Sequence, residues 1–67
     1  MINVGDKYIL HSSDGKDYNI EVVNVNHFRE PGMEYACDVF DNNGNSINGD
    51  VVFIGDDFFN KECVEKI

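Results

Sequence analysis

The segment from Lys16 to Phe28 constrains the fold of this chain most strongly, because apolar and polar residues alternate through its first half. A period of two residues is typical of a β-strand that buries one face. At Val22 and Val23 two apolar residues are adjacent, and the alternation changes phase. Such a change occurs where a β-bulge or a sharp coil lets one strand serve two sheets. The segment therefore predicts a long, coiled strand, a feature of small barrels.

Three shorter segments are also predicted to be strands. Lys7–His11 is rich in strand-forming residues, and in Glu34–Phe40 apolar side chains again alternate with polar ones. Val51–Ile54 is too apolar to alternate, which predicts a central strand with both faces covered. The turn residues Asp14-Gly15 and Asn43-Gly44 indicate hairpin loops between strands.

The last part of the chain is predicted to contain a short helical turn. Gly55 ends the preceding strand, and Asp56 is expected to cap the turn formed by Asp56-Asp57-Phe58-Phe59. Both aspartates also interact favourably with the positive end of the helix dipole. Residues 62–67 then close the domain, either as a helix or as a strand.

Together these segments predict a mainly β protein. The pattern has a long, coiled second strand, four shorter strands and a helical turn near the C-terminus. Such a pattern is typical of a small five-stranded SH3-like barrel. The alternative is an antiparallel sheet with one C-terminal helix from about Asp56. A chain of 67 residues is near the lower limit for a stable core, so residues 1–67 are predicted to form a single acidic β domain.

Residues 30–60, called the acidic segment below, carry seven Asp or Glu side chains and no Lys or Arg. The formal net charge of the whole chain is −8, so most of the imbalance lies in this segment. The same residues supply much of the strand-forming apolar content, whereas disordered acidic tails are poor in aromatic residues. The acidic segment is therefore predicted to be a folded surface that repels nucleic-acid phosphates and attracts basic surfaces.

Eight side chains of the acidic segment are predicted to contact a partner. In strand geometry Glu34 and Asp38 lie on one face, about 13 Å apart. With acids from adjoining turns they can form rows of charge that imitate the phosphates of a duplex, which are spaced about 3.4 Å apart along each strand. The set comprises Glu34, Asp38, Asp41, Asp50, Asp56, Asp57, Phe58 and Phe59.

Each part of this set has a simpler interpretation. The carboxylates can form a solvated surface whose only role is solubility, although soluble domains commonly intersperse both signs of charge. Phe58 and Phe59 can supply an apolar anchor ringed by carboxylates, as at the centre of many interfaces. We expect at least one of the two rings to plug the open end of the barrel instead.

No catalytic or metal-binding residues are predicted. The two His and two Cys residues are isolated in the sequence, whereas structural zinc sites place their ligands in close pairs. If Asp41 began a calcium loop, Ser46 would occupy the position that needs glycine and Val52 the position that needs the bidentate glutamate. No nucleophile is placed beside a base, and a small barrel leaves little room for a substrate cavity. We therefore predict a protein that is not an enzyme and uses no cofactor.

In size, charge and the cation-free acidic segment, the chain resembles the small acidic proteins that bacteriophages make to disable host DNA-binding proteins by imitating DNA. The sequence Asp56-Asp57-Phe58-Phe59, which joins acids to aromatics, belongs to this resemblance. The resemblance implies a phage or mobile-element origin and a basic host target. Candidate targets are a nucleoid-associated protein, RNA polymerase, a restriction enzyme or a nuclease effector.

The predicted function is thus a non-enzymatic inhibitor or binding protein that presents a DNA-like acidic surface to a basic nucleic-acid-binding protein. The alternative is a small β-barrel module that binds a protein or peptide in a groove of aromatic side chains, or else a subunit of a larger assembly. The groove would use Tyr8, Tyr18, Tyr35 and Phe58. Residues 1–6 lack a signal-peptide pattern, so we expect a cytoplasmic protein, monomeric or homodimeric, that binds neither nucleic acid nor a membrane.

Overall fold

A computed structural model describes residues 1–67 of the chain. Five antiparallel strands form one sheet, and a single short helix precedes the last strand. The elements in chain order are β1 (Lys7–His11), β2 (Asp17–Val25), β3 (Tyr35–Phe40), β4 (Val52–Ile54), α1 (Asp56–Phe59) and β5 (Val64–Lys66). The strand order in the sheet is β4-β3-β2-β1-β5, so β4 and β5 are the two edge strands.

The mainly β class, the five strands and the helical turn near the C-terminus are confirmed. The closed barrel is wrong, because β4 and β5 lie at opposite ends of the sheet order and do not pair with each other. Each of these strands has only three residues, and the ring of Phe59 from α1 covers the inner face of the sheet instead. The alternative, an antiparallel sheet with a C-terminal helical piece, fits the structure.

The predicted irregularity in β2 is confirmed as a β-bulge. The pairing of β2 with β3 is regular from Asn19 to Val22 and shifts between Val22 and Asn24, which leaves Val23 as the extra residue. A bulge bends its strand and increases the local twist. The bulge at Val23 therefore bends the middle of β2.

The prediction that Val51–Ile54 is a central strand is wrong. β4 pairs only with β3, and it lies at the edge of the sheet. Its apolar run arises because Ile54 enters the core while Phe53, on the opposite face, stays 43% exposed. The guanidinium carbon of Arg29 lies 5.1 Å from the centre of the Phe53 ring and covers part of it. A cation above the ring thus takes the place of a second packed layer.

The core lies between the inner face of the sheet and α1. Ile20, Val22 and Cys37 are its most buried side chains, in the three-strand centre of the sheet. The ring of Phe59 lies 4.6 Å from the ring of Tyr8 and 5.5 Å from that of Tyr35, measured between centroids. Aromatic pairs at these separations contribute about 0.5–1.5 kcal/mol beyond their burial. α1 is therefore attached to the sheet mainly through Phe59.

The helix α1 has four residues. No helix in the structure has the length and apolar content needed to cross a bilayer.

Candidate binding surface

The carboxylates of the acidic segment form no ion pairs in the folded chain. The ammonium of Lys66 lies 3.5 Å from the carboxylate of Asp6, and His11 lies 2.9 Å from Asp17, and both pairs are outside the segment. The two cations nearest in sequence to the acidic segment contact aromatic rings: Arg29 stacks on Phe53, and the Lys61 ammonium lies 5.9 Å from the centre of the Phe58 ring. No cation of the chain therefore forms an ion pair with the carboxylates of residues 30–60.

Several of these carboxylates accept hydrogen bonds from nearby backbone groups. Oδ1 of Asp41 accepts from the N–H of Asn43 at 2.9 Å and from that of Asn45 at 3.0 Å, which closes the hairpin loop after β3. Oε1 of Glu34 accepts from the N–H of Gly32 at 2.9 Å, and Asp50 accepts from its neighbour Val51 at 2.7 Å. These bonds restrict the carboxylates to defined positions without neutralising them.

Asp56 connects the helix to the sheet, rather than capping α1 as the sequence predicted. The N-cap residue is Gly55, and no side chain hydrogen-bonds to the free N–H groups of the first turn. Instead Oδ1 of Asp56 accepts from the hydroxyl of Tyr35 at 2.7 Å. This hydrogen bond, together with burial, raises the pKa of Tyr35 to about 12. The partners are 21 residues apart in sequence, so a local capping pattern could not reveal the pairing.

Glu34, Asp56 and Asp57 come together at one corner of the molecule. They line a shallow depression of about 240 Å³ whose other walls include Gly32 and Gly55. A Cβ atom on Gly55 would lie 2.6 Å from Cα of Gly32, so only glycine permits this approach of the two backbones. The close approach brings the loop before β3 against the start of α1, and three carboxylates of the predicted set meet there.

Asp38 lies elsewhere, on the outer face of the sheet. It is directly opposite Glu21 of β2, so two like charges face each other across the strands. Like charges in this position destabilise a sheet. Glu21 has Lys7 opposite it on β1, but Asp38 has no cation within ion-pair distance. The predicted acids therefore divide between the β4–α1 corner, the outer face and the loop that carries Asp41 and Asp50.

The two phenylalanines of the predicted set have different surroundings. Phe59 is 9% exposed and belongs to the core, packed between α1 and an open sheet that has no barrel end for the ring to plug. Phe58 is half-buried, and its ring meets that of Phe59 edge to face at 5.7 Å. Only Phe58 therefore has ring surface available to a partner.

An apolar groove of about 450 Å³ opens on the inner face of the sheet, between β4 and α1. Eight of its eleven lining residues are hydrophobic. The hydrophobic lining residues include Leu10, Ile20, Val39, Val52, Ile54 and Phe58. Gly32 and Gly55 line both this groove and the acidic depression, so the two are adjacent.

Sequence reasoning missed this groove and the residues around it. The aromatic groove proposed from sequence used Tyr8 and Tyr35, which are 5% and 4% exposed and lie in the core. Leu10 and Ile20 lie on the interior strands β1 and β2, and their place in the groove could not be predicted because it depends on the sheet order and on the position of α1. Phe28, in the loop between β2 and β3, is fully exposed. The sequence placed Phe28 at the end of the predicted long strand, which is wrong at this end because β2 stops at Val25.

No three or more His, Cys, Asp or Glu side chains are grouped closely enough to hold a metal ion. Cys37 and Cys63 are both free thiols, the first buried and the second half-buried. Burial raises the pKa of Cys37 to about 11.

Comparison of the chain with protein-family models, with curated proteins and with solved structures finds no match.

Proposed function

We propose that this protein is a non-enzymatic binding protein that presents a DNA-like acidic surface and thereby blocks a basic nucleic-acid-binding surface of another protein. The observation that carries the proposal is the unpaired state of the acidic segment: its seven carboxylates have no cation within ion-pair distance. Charges of one sign attract an oppositely charged surface and accelerate the encounter with it. The proposed site of action is the cytoplasm.

The restricted carboxylates add a second argument. A flexible acidic chain must lose conformational entropy when it matches a fixed pattern of basic residues. Glu34, Asp41 and Asp56 are already held by hydrogen bonds to Gly32, to the loop backbone and to Tyr35. Their charges therefore occupy set positions before binding, as phosphates do along a duplex.

The proposed partner is a basic DNA-binding protein of a host cell, bound by a monomer or homodimer of this chain. A nucleoid-associated protein, RNA polymerase, a restriction enzyme or a nuclease effector each offers a suitable basic groove. Binding would release counterions condensed around the two surfaces, so the affinity should fall steeply as salt rises.

The test is capture of partners on immobilised protein from a bacterial lysate, with elution by a salt gradient and a parallel run with competing duplex DNA. One basic DNA-binding protein, released by moderate salt and displaced by DNA, is the expected result. A partner held through high salt and unaffected by DNA would contradict the proposal.

Two charge-reversal variants separate a positioned surface from net charge alone. Asp38→Lys with Asp57→Lys changes two acids whose carboxylates accept no hydrogen bond from the chain, so the fold should persist while binding is lost. Glu62→Lys with Glu65→Lys makes the same change in net charge outside the acidic segment and should retain most of the binding. Equal losses in both double variants would show that only net charge matters.

A second candidate function, recognition of an extended peptide, is favoured by the apolar groove beside β4. In that case salt has little effect on affinity, and substitution of Phe58 weakens binding more than charge reversal does.

A further inference from the structure

The backbone directions in β3 can be read from two hydrogen bonds. The C=O of Val39 accepts from the N–H of Ile47 at 3.0 Å, on the side of β4. The C=O of Glu34 accepts from the N–H of Asn26 at 2.9 Å, on the side of β2. Because backbone groups alternate in direction along a strand, odd-numbered residues of β3 point their N–H and C=O groups towards β4.

It follows that the middle residue of β4 has an open backbone. Val52 and Ile54 are opposite odd-numbered residues of β3 and use their backbone groups within the sheet. Phe53 is opposite Ala36, so its N–H and C=O point away from the sheet, where the chain supplies no partner. An unpaired strand edge of this kind can accept a further strand.

The apolar groove adjoins this open edge. Val52 and Ile54 of β4 form one wall of the groove, and Phe58 of α1 forms part of another. Side chains of an added strand alternate between the two faces of the sheet. Every second side chain of a strand placed beside Phe53 would therefore enter the groove.

Carboxylates lie at both ends of the same edge. Asp50 precedes β4, and the corner formed by Glu34, Asp56 and Asp57 follows it. Asp56 is six positions after Asp50, so the two residues are at most about 20 Å apart at the rise of an extended chain. The only nearby cation on this edge, Arg29, is occupied by the ring of Phe53, the side chain of Asn24 and the C=O of Glu34. A matching strand would carry apolar residues at its centre and basic residues at its ends.

We propose that the β4 edge and the adjoining groove dock an extended segment of a partner protein, apolar in the middle and basic at both ends, which adds to the sheet as a sixth strand. The inference rests on the proposed function in that the basic ends meet the acidic segment. Its new content is the site and the mode: backbone hydrogen bonds to Phe53, and apolar side chains in the groove.

The probe is a short blocked peptide with a central valine-threonine-valine tract and two lysines at each end. Backbone amide NMR spectra of the labelled protein are recorded during titration with this peptide. The largest shifts are expected at residues 52–55 and at the groove residues Leu10 and Val39. Shifts confined to the outer face around Asp38, or no saturable shifts at all, would overturn the proposal.

Two substitutions at one position test the backbone bonds. Phe53→Pro removes the outward N–H, and proline is tolerated on the open side of an edge strand. Phe53→Val removes the same ring but keeps the N–H. We expect the proline variant to bind the peptide at least about fivefold more weakly than the valine variant, as loss of a hydrogen bond of about 1 kcal/mol or more implies. Equal affinities would overturn the proposal, and the shift map of the unaltered protein decides the matter if the proline variant does not fold.

Two control peptides separate this inference from the acidic-surface proposal. Replacing both valines by serine should abolish the shifts in the groove, and binding that survives this change would overturn the docking mode while leaving the acidic surface intact. Replacing the lysines by glutamine should weaken binding at low salt by about tenfold or more. If the glutamine peptide binds equally well at the same residues, the role assigned to the acidic ends is overturned.

Concentration-dependent shifts of residues 52–55 without any peptide would instead identify a second copy of the chain as the occupant and overturn the proposal.

Discussion

The two edges of the sheet have the same length and opposite chemistry. β5 belongs to a stretch, residues 61–67, in which two cations balance two acids, and the Lys66 ammonium lies 3.5 Å from Asp6. β4 belongs to the acidic segment, has no ion pair, and adjoins an apolar groove. Both strands bury one residue, Val64 in β5 and Ile54 in β4.

The difference indicates which edge is available for binding. At the β5 edge, charge is neutralised within the chain, so little is gained by bringing in a charged partner. Both edges leave backbone groups open, but at the β4 edge the carboxylates have no ion pair and an apolar groove adjoins the strand. Natural proteins commonly protect such edges, and β4 is protected only by its short length and by Arg29 above Phe53. Breaking the contacts of each edge in turn shows how far the two are independent.

The largest effect is expected from Phe59→Ala, because Phe59 contacts Tyr8 near the β5 side and Tyr35 near the β4 side. Truncation of a buried phenylalanine costs about 3–5 kcal/mol, a large part of the stability of a domain of this size. Urea unfolding should show a marginally stable or unfolded variant, with both edges lost together. The matched control is Phe28→Ala, a fully exposed ring whose loss should change stability by less than about 0.5 kcal/mol. If Phe59→Ala and Phe28→Ala changed the unfolding free energy by similar amounts, Phe59 would not be the residue that supports both edges of the sheet.

A smaller and one-sided effect is expected from Tyr35→Phe, which removes the hydrogen bond from Tyr35 to Asp56. Loss of a hydrogen bond to a charged group costs about 1–3 kcal/mol. Hydrogen exchange should accelerate at β4 and α1 more than at β5. Tyr18→Phe is the control, since no hydrogen bond of the Tyr18 hydroxyl is present. Equal acceleration at both edges would mean that they are not independent.

The same variant changes the alkaline unfolding of the protein. The pKa of Tyr35 is raised to about 12 by its hydrogen bond to Asp56 and by burial, so the folded state holds this proton more tightly than the unfolded state does. The associated stability is fully present below pH 10, the ordinary tyrosine pKa, and is lost as the pH rises through about 12. Tyr35→Phe should flatten the decline in urea-unfolding free energy over this range.

The smallest effect is expected from Asp6→Asn at the β5 edge. A backbone hydrogen bond from Asn3 and the nearby Lys66 ammonium lower the pKa of Asp6. Its contribution is therefore present above the ordinary aspartate pKa and is lost as the pH falls through the lowered value. Because exposed ion pairs contribute little, we expect a slight loss of stability at neutral pH that shrinks with added salt. If Asp6→Asn lowered the unfolding free energy as much as Tyr35→Phe does, the stability of the β5 edge would depend on polar contacts at least as much as that of the β4 edge.

Much of the fold was predictable because its signals are local. The bounds of β1 follow from strand-forming residues between turn residues, and the bulge in β2 follows from the adjacent Val22 and Val23. Gly44, whose φ is +82°, occupies the loop position for which the sequence predicted a turn glycine. The edge position of β4 was not predictable from the apolar run Val51–Ile54. The same run is expected whether the outer face of the strand is covered by a packed layer of residues or by the side chain of a single arginine.

The candidate site was predictable in charge and not in arrangement. The acidic segment is visible in the sequence, as is the loop pattern in which Asp41 accepts backbone hydrogen bonds. The meeting of Glu34 with Asp56 and Asp57 depends on the contact of Gly32 with Gly55, which joins positions far apart in the chain. The groove depends on the open sheet, whereas the barrel prediction would have filled that space.

The bulge at Val23 bends β2 without changing which of its side chains face the core and which face outward. Val22 is opposite Cys37 and Asn24 is opposite Ala36, so the residues on either side of the bulge already have the facing of an uninterrupted ladder. A single-codon deletion of Val23 would therefore leave every side chain of β2 on its present face and would only straighten the strand. The bulge thus adds a bend to β2 without changing which of its side chains face the core.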